Sequence, residues 1–83
     1  MNEDKLAIEL GKYLEKKRYR FGYSLAYVAD RMGVSKPLIQ KYENGSVSIP
    51  FNKLLELCKV YKIPLSKLGK DLEKMGYGYQ AKK

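Results

Sequence analysis

Residues 24–45 read SLAYVADRMGVSKPLIQKYENG and contain two helical patterns separated by a short corner. In the first pattern, apolar residues recur at i, i+3, i+4 and i+7, the spacing of one face of an amphipathic helix. These residues are Leu25, Val28, Ala29 and Met32. Ser24 precedes them as a predicted N-cap, whose side-chain oxygen can accept a hydrogen bond from a first-turn amide. Gly33 is predicted to end the helix, because glycine adopts a left-handed conformation without a Cβ clash.

The second pattern begins in the same way. Ser35 is a second predicted N-cap, Pro37 is tolerated in a first turn, and Asn44-Gly45 ends the helix. Both starts carry a hydrophobic staple, an apolar pair that brackets the cap. The two pairs are Tyr23 with Val28 and Val34 with Ile39. Two helices joined through residues 33–35 predict a helix-turn-helix, in which the second helix lies in the DNA major groove.

Six residues are expected to build the interior and corner of this motif. Ala29 is small where the second helix passes closest to the first, and Ile39 is apolar where the second helix turns back into the core. The full set is Val28, Ala29, Gly33, Val34, Ile39 and Tyr42.

Three further helices are predicted around the motif. The first runs from about Asp4 to Arg20 and carries leucines at every fourth position until Gly22 stops it. Those leucines are Leu6, Leu10 and Leu14. The fourth runs from about Pro50 to Tyr61, and Pro64 breaks it.

A fifth helix carries the apolar residues Leu65, Leu68, Leu72 and Met75 and ends at Gly76. No run alternates with period two for long enough to predict a strand. The expected fold is therefore all-α with five helices. We expect one domain over residues 1–76 and a basic C-terminal tail over residues 77–83.

Composition limits the function of a chain of 83 residues. Seventeen Lys and Arg against nine Asp and Glu give a formal charge of +8, which suits a polyanion, nucleic acid first and an acidic membrane surface second. There is no histidine, one cysteine and no spaced catalytic pair of carboxylates. We therefore expect no metal site, no cofactor, no internal disulfide and no enzymatic activity, with Cys58 as an inert core residue.

Neither a membrane span nor a signal peptide is expected. The longest uncharged run, residues 21–29, is much shorter than the roughly 20 residues a spanning helix needs. The N-terminus is charged and no apolar segment follows it. The expected location is the cytoplasm of a bacterium, an archaeon or a cell infected by one of their viruses.

The motif resembles the lambda-repressor/Cro-type helix-turn-helix family, also called the xenobiotic-response-element type. The resemblance rests on Gly33-Val34-Ser35, on Ile39 and on Glu43-Asn44-Gly45, with Arg18 and Gly22 upstream. It extends downstream through a Leu-x-x-Leu helix and a closing apolar segment, and it covers about residues 10–68. The resemblance implies a compact five-helix DNA-binding domain whose second and third helices form the motif.

The resemblance also implies which residues meet DNA. The implied base-reading residues are Ser35, Lys36, Pro37, Gln40 and Lys41. A lysine there can donate to guanine O6 and N7, and Gln40 can pair with adenine N6 and N7. Pro37 departs from the polar residue usual in the family, and its ring suits a thymine methyl group. Leu25 departs as well, where many family members carry a glutamine that helps to hold the DNA backbone.

Backbone contacts are expected from a second group of residues. Ser24 and Asn44 resemble the family's backbone-contact positions, where hydroxyl, amide and helix N-terminal groups bind phosphate. Weaker candidates follow from charge or loop position alone. These are Lys12, Lys16, Ser46 and Ser48.

Several alternatives remain open from the sequence. Arg18 and Glu43 resemble a buried ion pair between the first helix and the recognition helix, but they could also be two solvated charges. Lys36 and Lys41 could belong to a solvated face. A tyrosine set could form a stacking platform for single-stranded nucleic acid. That set is Tyr13, Tyr19, Tyr27, Tyr42 and Tyr61.

The fifth helix is the expected site of oligomerisation. Its apolar stripe is predicted to form a two-fold dimer, with recognition helices about 34–36 Å apart on a palindromic operator. The alternative is that the stripe closes the core of one chain. The dimer candidates are Leu65, Leu68, Leu72 and Met75.

The expected function is a sequence-specific regulator of transcription that binds double-stranded DNA, most simply a small dimeric repressor. One alternative is an antitoxin that binds its operator together with a small protein partner. Another is a protein-interaction module that has kept the fold and lost DNA binding. Positive charge at the start of the recognition helix, from Lys36 and Lys41, favours DNA binding over the last alternative.

Overall fold

Five helices account for most of the chain. The structure is a computed structural model that describes residues 2–79, with side chains from Lys5 onward. The helices are α1 (Asn2–Phe21), α2 (Leu25–Met32), α3 (Lys36–Asn44), α4 (Phe51–Val60) and α5 (Leu65–Lys74). No strand occurs within residues 2–79. The all-α, five-helix prediction is confirmed.

The helix boundaries around the corner follow from the predicted caps. The Ser24 hydroxyl oxygen accepts a hydrogen bond from the Tyr27 amide at 3.0 Å, and the Ser35 oxygen accepts one from the Leu38 amide at 3.2 Å. Gly33 ends α2 with φ 68°, in the left-handed region. These contacts satisfy amides that a helix start leaves without an intrahelical partner. The corner therefore has the chemistry expected from its sequence.

The core forms between α1 and the four shorter helices. Val28 and Ile39 are among its most deeply buried side chains, together with Leu14 and Tyr61. Of the six residues expected in the motif, four are buried: Val28, Ala29, Ile39 and Tyr42.

Val34 and Leu6 are less buried than expected, whereas Gly33 lies at the corner as predicted. Val34 is half-buried and packs against the edge of the core, while Gly33 is exposed because it forms the outside of the corner. On α1, Leu10 and Leu14 are buried, but Leu6 is 39% exposed. The leucine stripe of α1 is therefore covered only along its C-terminal part.

Helix α1 crosses the C-terminal end of α3 at Gly11, a residue to which the sequence analysis gave no role. A Cβ on Gly11 would lie 2.8 Å from the carbonyl carbon of Glu43, and closer still to the carbonyl oxygens of Tyr42 and Glu43. At Gly45, a Cβ would lie 2.7 Å from the Cα of Ile8. The two helix backbones thus approach more closely than any residue with a side chain would allow.

Helix α5 and the residues after it are fixed to α1. Leu68 is only 6% exposed and belongs to the core, and Leu72 is half-buried. The Tyr13 hydroxyl donates a hydrogen bond to Asp71 at 2.6 Å, and the Tyr77 hydroxyl donates one to Glu9 at the same distance.

These contacts change two expectations. Leu68 packs in the core of one chain, whereas Leu65 and Met75 are exposed, so the four dimer candidates do not share one exposed surface in this chain and the dimer itself stays a prediction. Tyr77, expected to begin a tail, is bound to α1; residues 80–83 of that tail lie outside the described residues.

Gly11→Ala tests the close approach of α1 and α3. We expect it to lower the free energy of unfolding by about 3 kcal/mol, since the new methyl group meets backbone atoms that cannot rotate away. Gly69→Ala is the matched control, because Gly69 lies in α5 with no atom within 4 Å of its Cβ position. It should raise stability by about 0.5–1 kcal/mol through helix propensity. Equal effects of the two substitutions in urea unfolding would contradict the crossing.

Tyr13→Phe tests the attachment of α5. In the folded protein the Tyr13 hydroxyl, followed by Lys67, holds the pKa of Asp71 below its ordinary value of 3.8. A carboxylate with a lowered pKa stabilises the fold above its unfolded pKa and loses that contribution as pH falls through its folded pKa. The stability difference between parent and variant should therefore be constant near neutral pH and shrink below about pH 4.

Tyr79→Phe is the control for that substitution, because Tyr79 is 86% exposed and its hydroxyl has no hydrogen-bond partner among residues 5–79. It should leave stability unchanged throughout the pH series. If the difference in unfolding free energy between the parent and Tyr13→Phe does not vary with pH, the Asp71 carboxylate is not involved.

Candidate nucleic-acid interface

One face of α3 is open to solvent along its full length. At about 100° per residue, the buried residues Ile39, Tyr42 and Glu43 occupy one side of the helix. The opposite side carries Lys36, Pro37, Gln40, Lys41 and Asn44, all exposed. Four of the five expected base-reading residues therefore share one accessible helical face, and the fifth, Ser35, is exposed at its N-cap.

The rotation of α3 is set by an ion pair with α1. The Arg18 Nε lies 2.7 Å from Glu43 Oε2 and its Nη2 lies 2.9 Å from Oε1, a bidentate arrangement. A third nitrogen of Arg18, Nη1, donates to the carbonyl oxygen of Tyr23 at 3.0 Å. Both charged residues are buried, with 7% and 8% of their surface exposed, so they are not two solvated charges.

This pairing has an electrostatic consequence. The hydrogen bond to Glu43 raises the pKa of the Arg18 guanidinium above its ordinary value, against the opposing effect of burial. No buried side-chain nitrogen or oxygen within the described residues lacks a hydrogen-bond partner. The pair is therefore fully satisfied, and it joins α1, α3 and the loop that leads into α2.

A cleft of about 460 Å³ lies between α1 and α3, above this ion pair. Lys12 lines it from α1, Leu25 from the start of α2, and Gln40 and Asn44 from α3. The structure thus brings Lys12 beside two residues of the exposed α3 face. Lys16 does not line this cleft; it lines two neighbouring clefts on the surface of α1, one of them together with Lys12.

The remaining backbone-contact candidates surround the ends of the two motif helices. Ser24 uses its oxygen as an acceptor, so its own O–H can still donate to a phosphate. Asn44 Oδ1 accepts from the Ser46 amide at 2.9 Å and also from the Ser46 hydroxyl, which leaves the Asn44 NH₂ group as the donor. Ser46 therefore orders Asn44, and Ser48 is exposed in the loop before α4.

The tyrosines do not form one stacking platform. Tyr42 and Tyr61 are buried, and Tyr13 is hydrogen-bonded to Asp71. Tyr27 packs instead against Tyr23, with ring centroids 4.5 Å apart. This packing excludes the alternative of a five-tyrosine surface for single-stranded nucleic acid, and the burial of Tyr42 agrees with its expected place in the motif core.

Arg31 on α2 is a cation near the motif that the sequence analysis did not single out. Its Nη1 donates to the Tyr27 hydroxyl at 2.8 Å, and the guanidinium lies 5.7 Å from the centroid of the same ring. A basic residue four positions after an aromatic one on a helix is the signal that could have indicated this contact. The Tyr27 contact orders the Arg31 side chain on the exposed surface of α2.

Other kinds of site are not evident among the described residues. No group of three or more metal-binding side chains lies together among them. Within the same residues, none of the helices has the length and apolar character that crossing a membrane requires. Cys58 is buried, and its burial raises the pKa of the thiol, which keeps it protonated.

The fold and this surface define the class of protein, a helix-turn-helix domain of the DNA-binding type. The sequence profile of the helix-turn-helix family of Cro/lambda-repressor type matches residues 14–68, more than half of the chain. The chain belongs to this family.

A relative supports the same assignment. It is a protein of Pyrococcus furiosus named as a candidate HTH-type transcriptional regulatory protein, and it is 32% identical over 57 residues. The match covers 69% of this chain and 18% of the relative. The chain therefore spans less than a fifth of that relative's length.

A double-mutant cycle tests the ion pair. Arg18→Met leaves the Glu43 carboxylate buried and unpaired, so we expect a loss of about 3–5 kcal/mol in the free energy of unfolding. Glu43→Leu should cost a similar amount for the same reason. The double variant should return to within about 1 kcal/mol of the parent, since two apolar side chains can fill the same space. Additive losses in urea unfolding would show that the two residues act independently.

Proposed function

We propose that this chain is the sequence-specific DNA-binding domain of a transcriptional regulator, with α3 as the helix that enters the major groove. The observation that carries the proposal is the exposed face of α3, which is uncharged in the middle and cationic at Lys36 and Lys41. The buried Arg18–Glu43 pair supports it, because it fixes which residues that face presents. Membership of the helix-turn-helix family favours the same assignment.

The proposed base contacts follow from the chemistry of each side chain. Lys36 and Lys41 donate to guanine O6 and N7, and Gln40 pairs with adenine. The Pro37 ring contacts a thymine methyl group, and the Ser35 hydroxyl remains able to donate after its oxygen has capped α3. Each well-placed contact contributes about 1–3 kcal/mol of discrimination between bases.

Phosphate contacts are proposed on either side of this face. Lys12 projects into the cleft beside Gln40 and Asn44, where it is positioned to approach one DNA strand. Ser24 at the start of α2 and the Asn44 amide are positioned for the flanking phosphates. Two protomers that contact about 6–10 phosphates should lose about 10³–10⁵ in affinity between 50 and 200 mM salt.

A two-fold dimer is proposed, on a smaller surface than the sequence predicted. Leu65 is 59% exposed and lines an apolar groove of about 480 Å³ between α4 and α5, together with Leu55 and Ile63. A second copy of the chain that covered this groove would remove Leu65 from water. Recognition helices about 34–36 Å apart would then fit a palindromic operator. Occupation of that operator would exclude other proteins, so the proposed action is repression, in the cytoplasm.

Selection from a random duplex library tests the function. The purified protein, at about 150 mM salt, should enrich a palindrome with half-sites about one helical turn apart. Lys41→Ala should bind the selected duplex more weakly by about 1–3 kcal/mol and should enrich a different sequence. Lys36→Ala should behave in the same way at a different base position.

Lys70→Ala is the matched control, since Lys70 is exposed on α5, away from the motif. It should lower affinity slightly and leave the selected sequence unchanged. Uniform weakening of all duplexes by the two α3 variants would leave these lysines only a phosphate role. The absence of any enriched sequence would contradict sequence-specific recognition.

A further inference from the structure

A second cationic surface lies between the end of α1 and the start of α5. We call it the basic groove, and it has a volume of about 400 Å³. Four cations line it: Lys17 and Arg20 from α1, Lys62 from the loop between α4 and α5, and Lys67 from α5. No carboxylate is among its lining residues.

The basic groove is separate from the proposed DNA-binding face, but it shares Lys62, Ile63 and Pro64 with the groove proposed for the dimer, so the peptide requires a dimer contact that leaves Lys62 uncovered. Lys12, Glu15 and Tyr19 of α1 line the cleft beside α3, whereas Lys17 and Arg20 line the basic groove. At about 100° per residue, the mean directions of these two sets around the α1 axis differ by about 140°. A ligand in the basic groove would therefore leave the exposed face of α3 accessible.

Two of the four cations are available to an outside anion. Lys67 is paired with Asp71 at 3.0 Å, and the Lys17 ammonium lies 5.2 Å from the centroid of the Tyr13 ring. Arg20 and Lys62 are exposed, and neither has an ion-pair partner among residues 5–79. The groove thus presents uncompensated positive charge on two opposite walls.

The floor of the groove is apolar. It is formed by Phe21, which is 38% exposed, with Ile63, Pro64 and the edge of Tyr61. The Phe21 ring is stacked on Tyr23 with centroids 5.1 Å apart and is near Tyr61 at 6.4 Å. The exposed part of Phe21 and of Pro64 can therefore pack against an apolar side chain of a ligand.

Lys62 occupies an unusual position in this surface. Its φ is 55°, and it is the one residue other than glycine with positive φ in the described part of the chain. Glycine adopts this conformation with less strain than lysine does. Removal of the Lys62 side chain by Lys62→Gly therefore deletes a charge from the groove without disturbing the backbone.

We propose that the basic groove binds an acidic peptide segment of a protein partner, in which an apolar side chain is flanked by carboxylates. The apolar side chain packs on Phe21 and Pro64, and the carboxylates pair with Arg20 and Lys62. Arginine pairs with carboxylates through two parallel hydrogen bonds, so it gives the contact direction as well as charge. The proposal does not depend on DNA binding by α3, because the basic groove and the cleft beside α3 have no lining residue in common.

The test uses a fluorescein-labelled synthetic peptide. Its two central residues are leucine and phenylalanine, and three acidic residues, aspartate or glutamate, stand on each side of them. Its binding to the full chain is followed by fluorescence polarisation. The control peptide has serine at both apolar positions and the same charge. The Arg20→Ala/Lys62→Gly variant is compared with Lys36→Ala/Lys41→Ala, which removes the same charge from α3.

The proposal predicts saturable binding that falls about tenfold or more in the Arg20→Ala/Lys62→Gly variant. The Lys36→Ala/Lys41→Ala variant should differ from the parent by less than about threefold, and the serine peptide should bind about tenfold more weakly. An excess of mixed-sequence duplex DNA should not displace the peptide.

Four results would overturn the proposal. If both double variants lose the same amount of peptide affinity, the binding depends only on the net charge of the protein. If the two peptides bind equally well, the apolar floor has no role in binding. Displacement by duplex DNA would assign the groove to nucleic acid instead. If no saturable binding is seen up to about 1 mM peptide, the dissociation constant is above that concentration and the groove does not bind this class of partner.

Discussion

The contact between α1 and α3 is the constraint on which the proposed recognition surface depends. Gly11 lets the two backbones meet, and the Arg18–Glu43 pair joins them with two hydrogen bonds of 2.7 and 2.9 Å. A bidentate pair restricts rotation as well as separation, so α3 is held with one particular face outward. Burying two charges brings little net stability, and we interpret the pair chiefly as a device that fixes orientation.

The distribution of positive charge follows from the same placement. Helix α1 separates two cationic surfaces, one beside α3 that includes Lys12 and one beside α5 that includes Arg20. A net charge of +8 therefore does not describe a uniformly basic protein. Helical periodicity distributes the lysines and arginines of α1 over different faces of the helix. One face lies beside the polar residues of α3, and another lies beside the apolar floor of the basic groove. For this reason the two surfaces are proposed to bind different kinds of anionic partner.

Sequence reasoning was most successful where structure is determined locally. The serine caps, the left-handed Gly33 and the five helices depend on neighbouring residues, so the pattern of residues 24–45 was sufficient to predict them. The arrangement of side chains on α3 followed from helical periodicity once the buried residues were known. Gly11, Leu68 and Lys62 could not be placed in this way, because their roles depend on how distant segments meet. The charge of Lys16 does not by itself specify the face of α1 on which it lies, so its phosphate contact stays a prediction.

The most direct test of the central claim is to map the DNA-contacting residues by nuclear magnetic resonance. Backbone amide signals of the ¹⁵N-labelled chain would be followed during titration with a mixed-sequence duplex, which requires no knowledge of the operator. The account predicts that the largest changes occur at Ser24 and along Lys36–Asn44, with little change at Arg20 and Lys62. Changes confined to the basic groove, with α3 unaffected, would contradict the account.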